Sequence, residues 1–257
     1  LKEASKSFLL NLKDDNVSYV EVRFAPLLSV NEHLNTGQVM EAVLSGLEEG
    51  KKECGISYNV IACVMRHHNQ EESLQMIRDC RAYLNQGLCA VDLAGNEAAF
   101  PMKDFRNLFV EVKRMEIPFT LHAGECGSVE NIVESVEAGA RRIGHGIALR
   151  GKKDAIAFCK GRGIALEMCP ISNMQTKAVA RKEEYPIREF LDAGLKVTIN
   201  TDNRTVSNTT IAKEMKFIQE NYGITDDELR QVTENAIEAS FANDDVKQML
   251  WKQNHGE

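Results

Sequence analysis

Phe119-Thr120-Leu121-His122-Ala123-Gly124-Glu125 runs directly into Cys126-Gly127-Ser128 and a stretch with helical pattern. A short apolar strand that ends in His, Gly and Glu just where a helix starts is a common way for an α/β protein to present chemical groups. Strand alternation sends Phe119 and Leu121 outward onto helices and Thr120 and His122 to the opposite side. Gly124 lets the chain turn at little steric cost, so Glu125 hangs over the strand end near His122. A metal ligand and a general acid can then share one pocket. Taken alone, His122 to Glu125 equally suits a buried histidine bonded to a carbonyl and a glutamate favoured by a helix dipole.

Outward from this stretch, strand and helix patterns alternate. Val17 to Phe24, Tyr58 to Arg66, Leu88 to Gly95, Phe119 to His122, Arg142 to Gly146, Ile164 to Cys169 and Lys196 to Asp202 have strand character. Between them lie helical patterns over Gln38 to Cys54, Ser73 to Gly87, Lys103 to Met115, Ser128 to Gly139, Asp154 to Arg162 and Pro186 to Ala193. Ser128 and Gly139 mark both ends of one helix, and Thr225 with Glu228 forms a capping box for another. Helical pattern also opens the chain, Leu1 to Leu12, and closes it, from Thr209 to Asn221 and on through Trp251. Such alternation implies a parallel sheet, either doubly wound or closed into a barrel.

The polar residues decide between the two. Glu21, Arg23, Arg66, Asp92, His122, His145, Glu167, Asn200 and Asp202 lie near the C-terminal ends of their strands. Buried charges are costly unless paired or coordinated, so convergence on one polar centre is the economical arrangement. A (β/α)8 barrel rings one site with all its strand ends. A doubly wound sheet usually carries a Gly-rich phosphate turn, and this sequence has none. The expectation is therefore a single barrel domain over residues 1–257 with seven of its eight strands in the sequence.

The net charge of −7 and the lack of a basic stripe argue against a nucleic-acid backbone as main partner and favour a small neutral or cationic ligand. Seven scattered cysteines, several inside apolar runs, suit reduced core thiols in a cytoplasmic protein. No signal-peptide pattern or membrane-length apolar run is present.

Zinc is the natural metal for a His nitrogen with an Asp oxygen, and His122 and Asp202 would meet at one barrel rim. Bound water then ionises near neutral pH. His145, framed by Gly144 and Gly146, is placed to orient that hydroxide or take its proton. Alone, Asp202 also suits a turn cap and His145 a structural histidine.

As a set, His122-Ala-Gly-Glu125, Gly144-His145-Gly146, Asp92-Leu-Ala-Gly95-Asn-Glu97, Cys169-Pro-Ile-Ser172-Asn173 and Asn200-Thr-Asp202 resemble the adenosine and AMP deaminases of the amidohydrolase superfamily. The resemblance covers nearly the whole chain from about Val17. It implies that His122 and Asp202 bind one zinc ion and that Glu125 protonates purine N1 while hydroxide adds to C6. It also implies that His145 steadies the hydroxide and that the Gly95 N–H meets purine N3. Protonation at N1 draws electron density from C6 and makes the ring electrophilic. The implied reaction is adenosine to inosine with loss of ammonia, in purine salvage. The His-x-Glu and Pro-Cys-x-x-Cys pattern of the other zinc deaminases is absent from the sequence.

Two departures from the family pattern stand out. Asn203 replaces the second Asp that many relatives place beside the zinc-binding one, and its amide N–H is expected to keep the contact to purine N7. The family's His-x-His pair does not occur, and His67-His68 is no substitute because neighbours on a strand face opposite ways. With the first barrel strand, these ligands are expected on an N-terminal segment or a neighbouring chain that completes the barrel, so this chain by itself is expected to hold zinc weakly. Within enzymes the other substrates to weigh are AMP, adenine and modified adenosines, with Arg204 the candidate for a phosphate. Outside enzymes, the other reading is a non-catalytic purine-binding barrel.

Overall fold

Strand-then-helix alternation is what the chain adopts in the computed structural model, which describes residues 1–126 and 128–256. Gly127, quoted above, and Glu257 lie outside the described residues. In chain order the regular elements are α1 Lys2–Asn11, β1 Tyr19–Phe24, α2 Thr36–Cys54, β2 Ser57–Met65, α3 Gln70–Cys80, β3 Leu88–Ala94, α4 Arg106–Arg114, β4 Thr120–Ala123, α5 Val129–Ala138, β5 Arg142–His145, α6 Lys153–Gly161, β6 Ala165–Met168, α7 Pro170–Gln175, α8 Ile187–Asp192, β7 Lys196–Ile199, α9 Arg204–Ser207, α10 Ile211–Tyr222, α11 Asp226–Ala239 and α12 Asp244–His255. All strand pairing is parallel, in one sheet ordered β1-β2-β3 and a second ordered β4-β5-β6-β7. The ladders thus form two sheets where the sequence suggested one ring. Beyond β3 the pairing shrinks to a single bridge, Val91 to Phe119, with the Val91 N–H donating to the Pro118 carbonyl at 3.0 Å. Pro118 has no N–H to extend that ladder.

The chain divides into two compact units. The first comprises Leu1–Gly95, Asn107–Phe119 and Phe241–Leu250. Its middle strand, β2, is apolar and buried from Val60 to Val64. Helix α1 lies against α2 where Gly46 has no side chain: a Cβ there would sit 2.0 Å from the Lys2 carbonyl oxygen. Lys2 pairs with Glu49 and Lys6 with Glu53 along the same contact. The polar residues of this sheet bond to one another. Tyr19 donates to Glu21 and accepts from Asn59, both at 3.0 Å. The buried Asp92 receives Arg23 at 3.4 Å and the Cys63 thiol at 3.5 Å.

The second unit comprises Asn96–Arg106, Thr120–Ser240 and Trp251–Glu257. Leu121, Ile143, Leu166 and Val197 form one row across β4 to β7 and are fully buried. Burial of each such side chain stabilises the fold by roughly 1.5–3 kcal/mol. On the alternate face Thr120 donates to Glu167 at 2.9 Å, and Arg142 pairs with the same carboxylate oxygen at 2.7 Å. Glu167 is therefore bonded within a buried group with Thr120 and Arg142. Helix α5 has both expected caps, Ser128 accepting the Asn131 N–H and Gly139 in a left-handed conformation. The Thr225 and Glu228 capping box also forms, and Arg188 holds that glutamate at about pKa 2.

Candidate active site

The second unit gathers Glu125, His145, His122 and Asp202 at the C-terminal ends of β4, β5 and β7. His122 lies in β4 and is in register with Gly144 of β5. A Cβ on Gly144 would come within 3.2 Å of the His122 Cα and 3.3 Å of its Cγ. The missing side chain thus makes room for the His122 ring. The His122 and His145 rings lie 5.1 Å apart, tilted by 58°.

Two of these residues are held in backbone conformations that side chains seldom adopt. His145 has φ 65° and Asp202 has φ 53°, both in the left-handed region. Such conformations cost on the order of 1–3 kcal/mol each and persist where surrounding contacts fix them. For His145 the turn breaks strand alternation at its last residue, so a parity count says little about where its ring goes.

The surrounding contacts come from α7. Asn173 Nδ2 lies 3.0 Å from His145 Nδ1, and both residues are buried. With the amide donating, the neutral ring carries its proton on Nε2. That nitrogen lies 3.6 Å from Glu125 Oε2. Ser172 donates to Asp202 Oδ2 at 2.7 Å. Partial desolvation pushes the Asp202 carboxyl up, but the Ser172 hydroxyl and the neighbouring His145 and His122 outweigh it and hold it below the usual range. Thr176, just past α7, donates to Glu125 Oε1 at 3.1 Å. From the other side the buried Glu97 accepts the Gly124 N–H at 2.9 Å and the Cys126 N–H at 2.7 Å, pinning the turn that carries Glu125.

The Asn203 side-chain oxygen caps α9 by accepting the Val206 N–H at 3.0 Å. Arg204 opens that helix. Gly95 belongs to the first unit and has φ 107°. His67 and His68 sit past the end of β2 in a turn, with ring centroids 4.5 Å apart, so the opposed directions expected of strand neighbours do not apply. Among the described residues no group of three or more His, Cys, Asp or Glu side chains converges as a metal site. His122 and Asp202 supply one imidazole and one carboxylate, short of the three protein ligands usual for a catalytic zinc.

The second sphere of the site is what sequence reasoning missed. Ser172 and Asn173 were visible as a motif but carried no role, and Thr176 and Glu97 were not singled out as partners. The available signal was a Ser-Asn pair in the first turn of a helix that a proline starts.

Paired acid and imidazole groups at the C-terminal tips of parallel strands are the arrangement of a hydrolytic α/β enzyme. A family model for adenosine deaminase matches residues 6–254. Curated relatives named adenosine deaminase, from Enterococcus faecalis and from Clostridium botulinum strain Okra, are each 40% identical to it. The first alignment covers 97% of this chain and 74% of the relative, the second 97% and 75%. The chain belongs to the adenosine deaminase family and is a hydrolase of the deaminase type. Among solved structures, an adenine deaminase from Arthrobacter aurescens superposes with a TM-score of 0.92 at 21% identity, covering 99% of this chain and 78% of that one. At these identities the likeness speaks for the fold alone. No helix among the described residues is long and apolar enough to cross a membrane.

Proposed function

We propose that the chain deaminates adenosine to inosine in purine salvage, within one (β/α) barrel domain of the kind expected from the sequence. The observation that carries the proposal is the convergence of Glu125, His145, His122 and Asp202, two of them in left-handed backbone and three of them bonded by residues on or beside one short helix.

In this reading Glu125 takes a proton from water and delivers it to purine N1, while the remaining hydroxide adds to C6. His145 cannot accept a proton on Nε2 while Asn173 donates to its Nδ1, so its Nε2–H donates to the hydroxide and steadies it. The hydroxide's own hydrogen passes to the amino group, the C6–N bond breaks and ammonia leaves. Asn203 spends its carbonyl on α9, which leaves its amide N–H2 as the half suited to purine N7, an acceptor. Gly95 is proposed as the donor to N3 on the strength of the Asp92 to Glu97 motif.

His122 and Asp202 are proposed as donors to zinc. A family fold neighbour, a Burkholderia ambifaria amidohydrolase, holds bound zinc. When bound, zinc would acidify the attacking water. A cytoplasmic setting is supported by buried thiols such as Cys80 and Cys159, which burial pushes up to about 12 and about 11.

Release of ammonia from adenosine, AMP and adenine, and of methylamine from N6-methyladenosine, measured side by side with added zinc, tests the proposal. Adenosine is expected to turn over fastest. Preference for AMP would move the assignment to a nucleotide deaminase with Arg204 at the phosphate, and preference for adenine to a nucleobase deaminase. Purine binding without ammonia release would make the chain a non-catalytic binding protein.

A further inference from the structure

Helix α7 is a single short segment, yet it orients both His145 and Asp202. What holds α7 itself is not local. Glu214, on α10, is fully buried and accepts the Ile171 N–H through Oε2 at 3.0 Å. Ile171 is followed immediately by Ser172, which bonds Asp202, and Asn173, which bonds His145. The first N–H groups of a helix have no partner within the helix, so an outside acceptor fixes where the helix starts. Here that acceptor is 43 residues downstream. The Thr209 hydroxyl is a further donor to this carboxyl. A buried carboxyl is a costly way to satisfy one backbone N–H and one hydroxyl, and a cost of that kind is retained where position matters.

We propose that Glu214 is a positioning residue for the deamination reaction: through the Ile171 N–H it sets the height and angle of α7, and so sets the Ser172 bond to Asp202 and the Asn173 bond to His145. It touches neither substrate nor reacting atoms. The role requires a hydrogen-bond acceptor of glutamate length and does not require charge. Burial, with a smaller push from Asp202, raises this carboxyl to about 7, so a neutral replacement resembles a form the site already visits.

The inference rests on the proposed deaminase reading, and its test separates the two. Glu214→Gln keeps an acceptor at the same reach and removes the charge. Glu214→Asp keeps the charge and falls one methylene short of the Ile171 N–H. In the full chain, Glu214→Gln is expected within about threefold of the unmodified protein in kcat for adenosine, and Glu214→Asp about tenfold or more below it with KM little moved. The imidazole 15N shifts of His145, which need no turnover, should report one tautomer in the unmodified and Gln proteins and a mixed or switched ring in the Asp protein. If the unmodified chain releases no ammonia, the deaminase reading fails while the 15N comparison still decides the role of Glu214. The proposal is overturned if Glu214→Asp keeps both kcat and the His145 signature, or if Glu214→Gln falls as far as Glu214→Asp. It is also overturned if Glu214→Asp no longer folds while Glu214→Gln does, because the carboxyl would then support the fold and not the site.

Discussion

Both sheets carry ionisable residues on neighbouring strands, and they use them in opposite ways. In the three-stranded sheet the strand residues bond one another: Arg23 and the Cys63 thiol meet Asp92, and Tyr19, itself accepting from Asn59, donates to Glu21. In the four-stranded sheet the strand-tip groups are instead held by neutral donors, Ser172, Asn173 and Thr176, that fix orientation without supplying an opposite charge. Neutral donors lower a carboxylate's proton affinity, as Ser172 does for Asp202, without setting a full opposite charge against it. The same residue types therefore become structure in one sheet and a candidate reaction centre in the other.

The comparison can be broken by exchanging the consequences. Glu125→Gln should lower kcat for adenosine by about a thousandfold, within the range for removing a general acid, and leave thermal stability nearly unchanged. Arg23→Met should do the reverse. It removes the cation paired with the buried Asp92 carboxylate and should cost about 3 kcal/mol in urea unfolding, with turnover little affected. A large loss of turnover without loss of stability in Arg23→Met would dissolve the distinction between the two sheets.

Smaller effects sharpen it. Asn173→Ala removes the bond to His145 Nδ1 and should lower kcat about tenfold, with the ring free to take either tautomer. The pH dependence of stability should also carry the mark of Glu214. Burial raises its folded pKa to about 7 from the ordinary 4.5, so between those values the folded state holds more protons than the unfolded one. Stability should therefore fall as pH rises from about 4.5 to about 7 through this group, with Asp202 and the Ile171 N–H its nearest influences. Glu214→Gln should flatten that slope in urea titrations across the same window, and an unchanged slope would count against the shift.

How much of this was legible in the sequence depends on the range of the cause. Strand positions came from local alternation, and all seven strands appear where expected, with ends moved by a few residues. Caps whose partner lies three residues away, Ser128 with Asn131 and Thr225 with Glu228, were legible for the same reason. Helix α3 stops at Cys80, short of the expected Gly87, because a 3-10 turn over Arg81–Tyr83 and a left-handed Asn85 intervene. Helices α7 and α9 were not foreseen, since four to six residues are too few to show a period. The first is fixed by a glutamate far along the chain. Left-handed His145 and Asp202 were also hidden, because propensity assigns that conformation to glycine. Glu167 shows the limit of a parity count: the count gives the face of the strand but not the partners, Thr120 and Arg142, that the residue bonds there.

The most direct test of the central claim is simultaneous measurement of inosine and ammonia formed from adenosine by the full chain and by its folded Asp202→Asn variant, both with added zinc. Equal amounts of the two products from the unmodified chain, and a loss of about a hundredfold or more in the variant at unchanged melting temperature, are the predicted result. Deamination that survives Asp202→Asn undiminished would contradict it and place the chemistry elsewhere in the molecule.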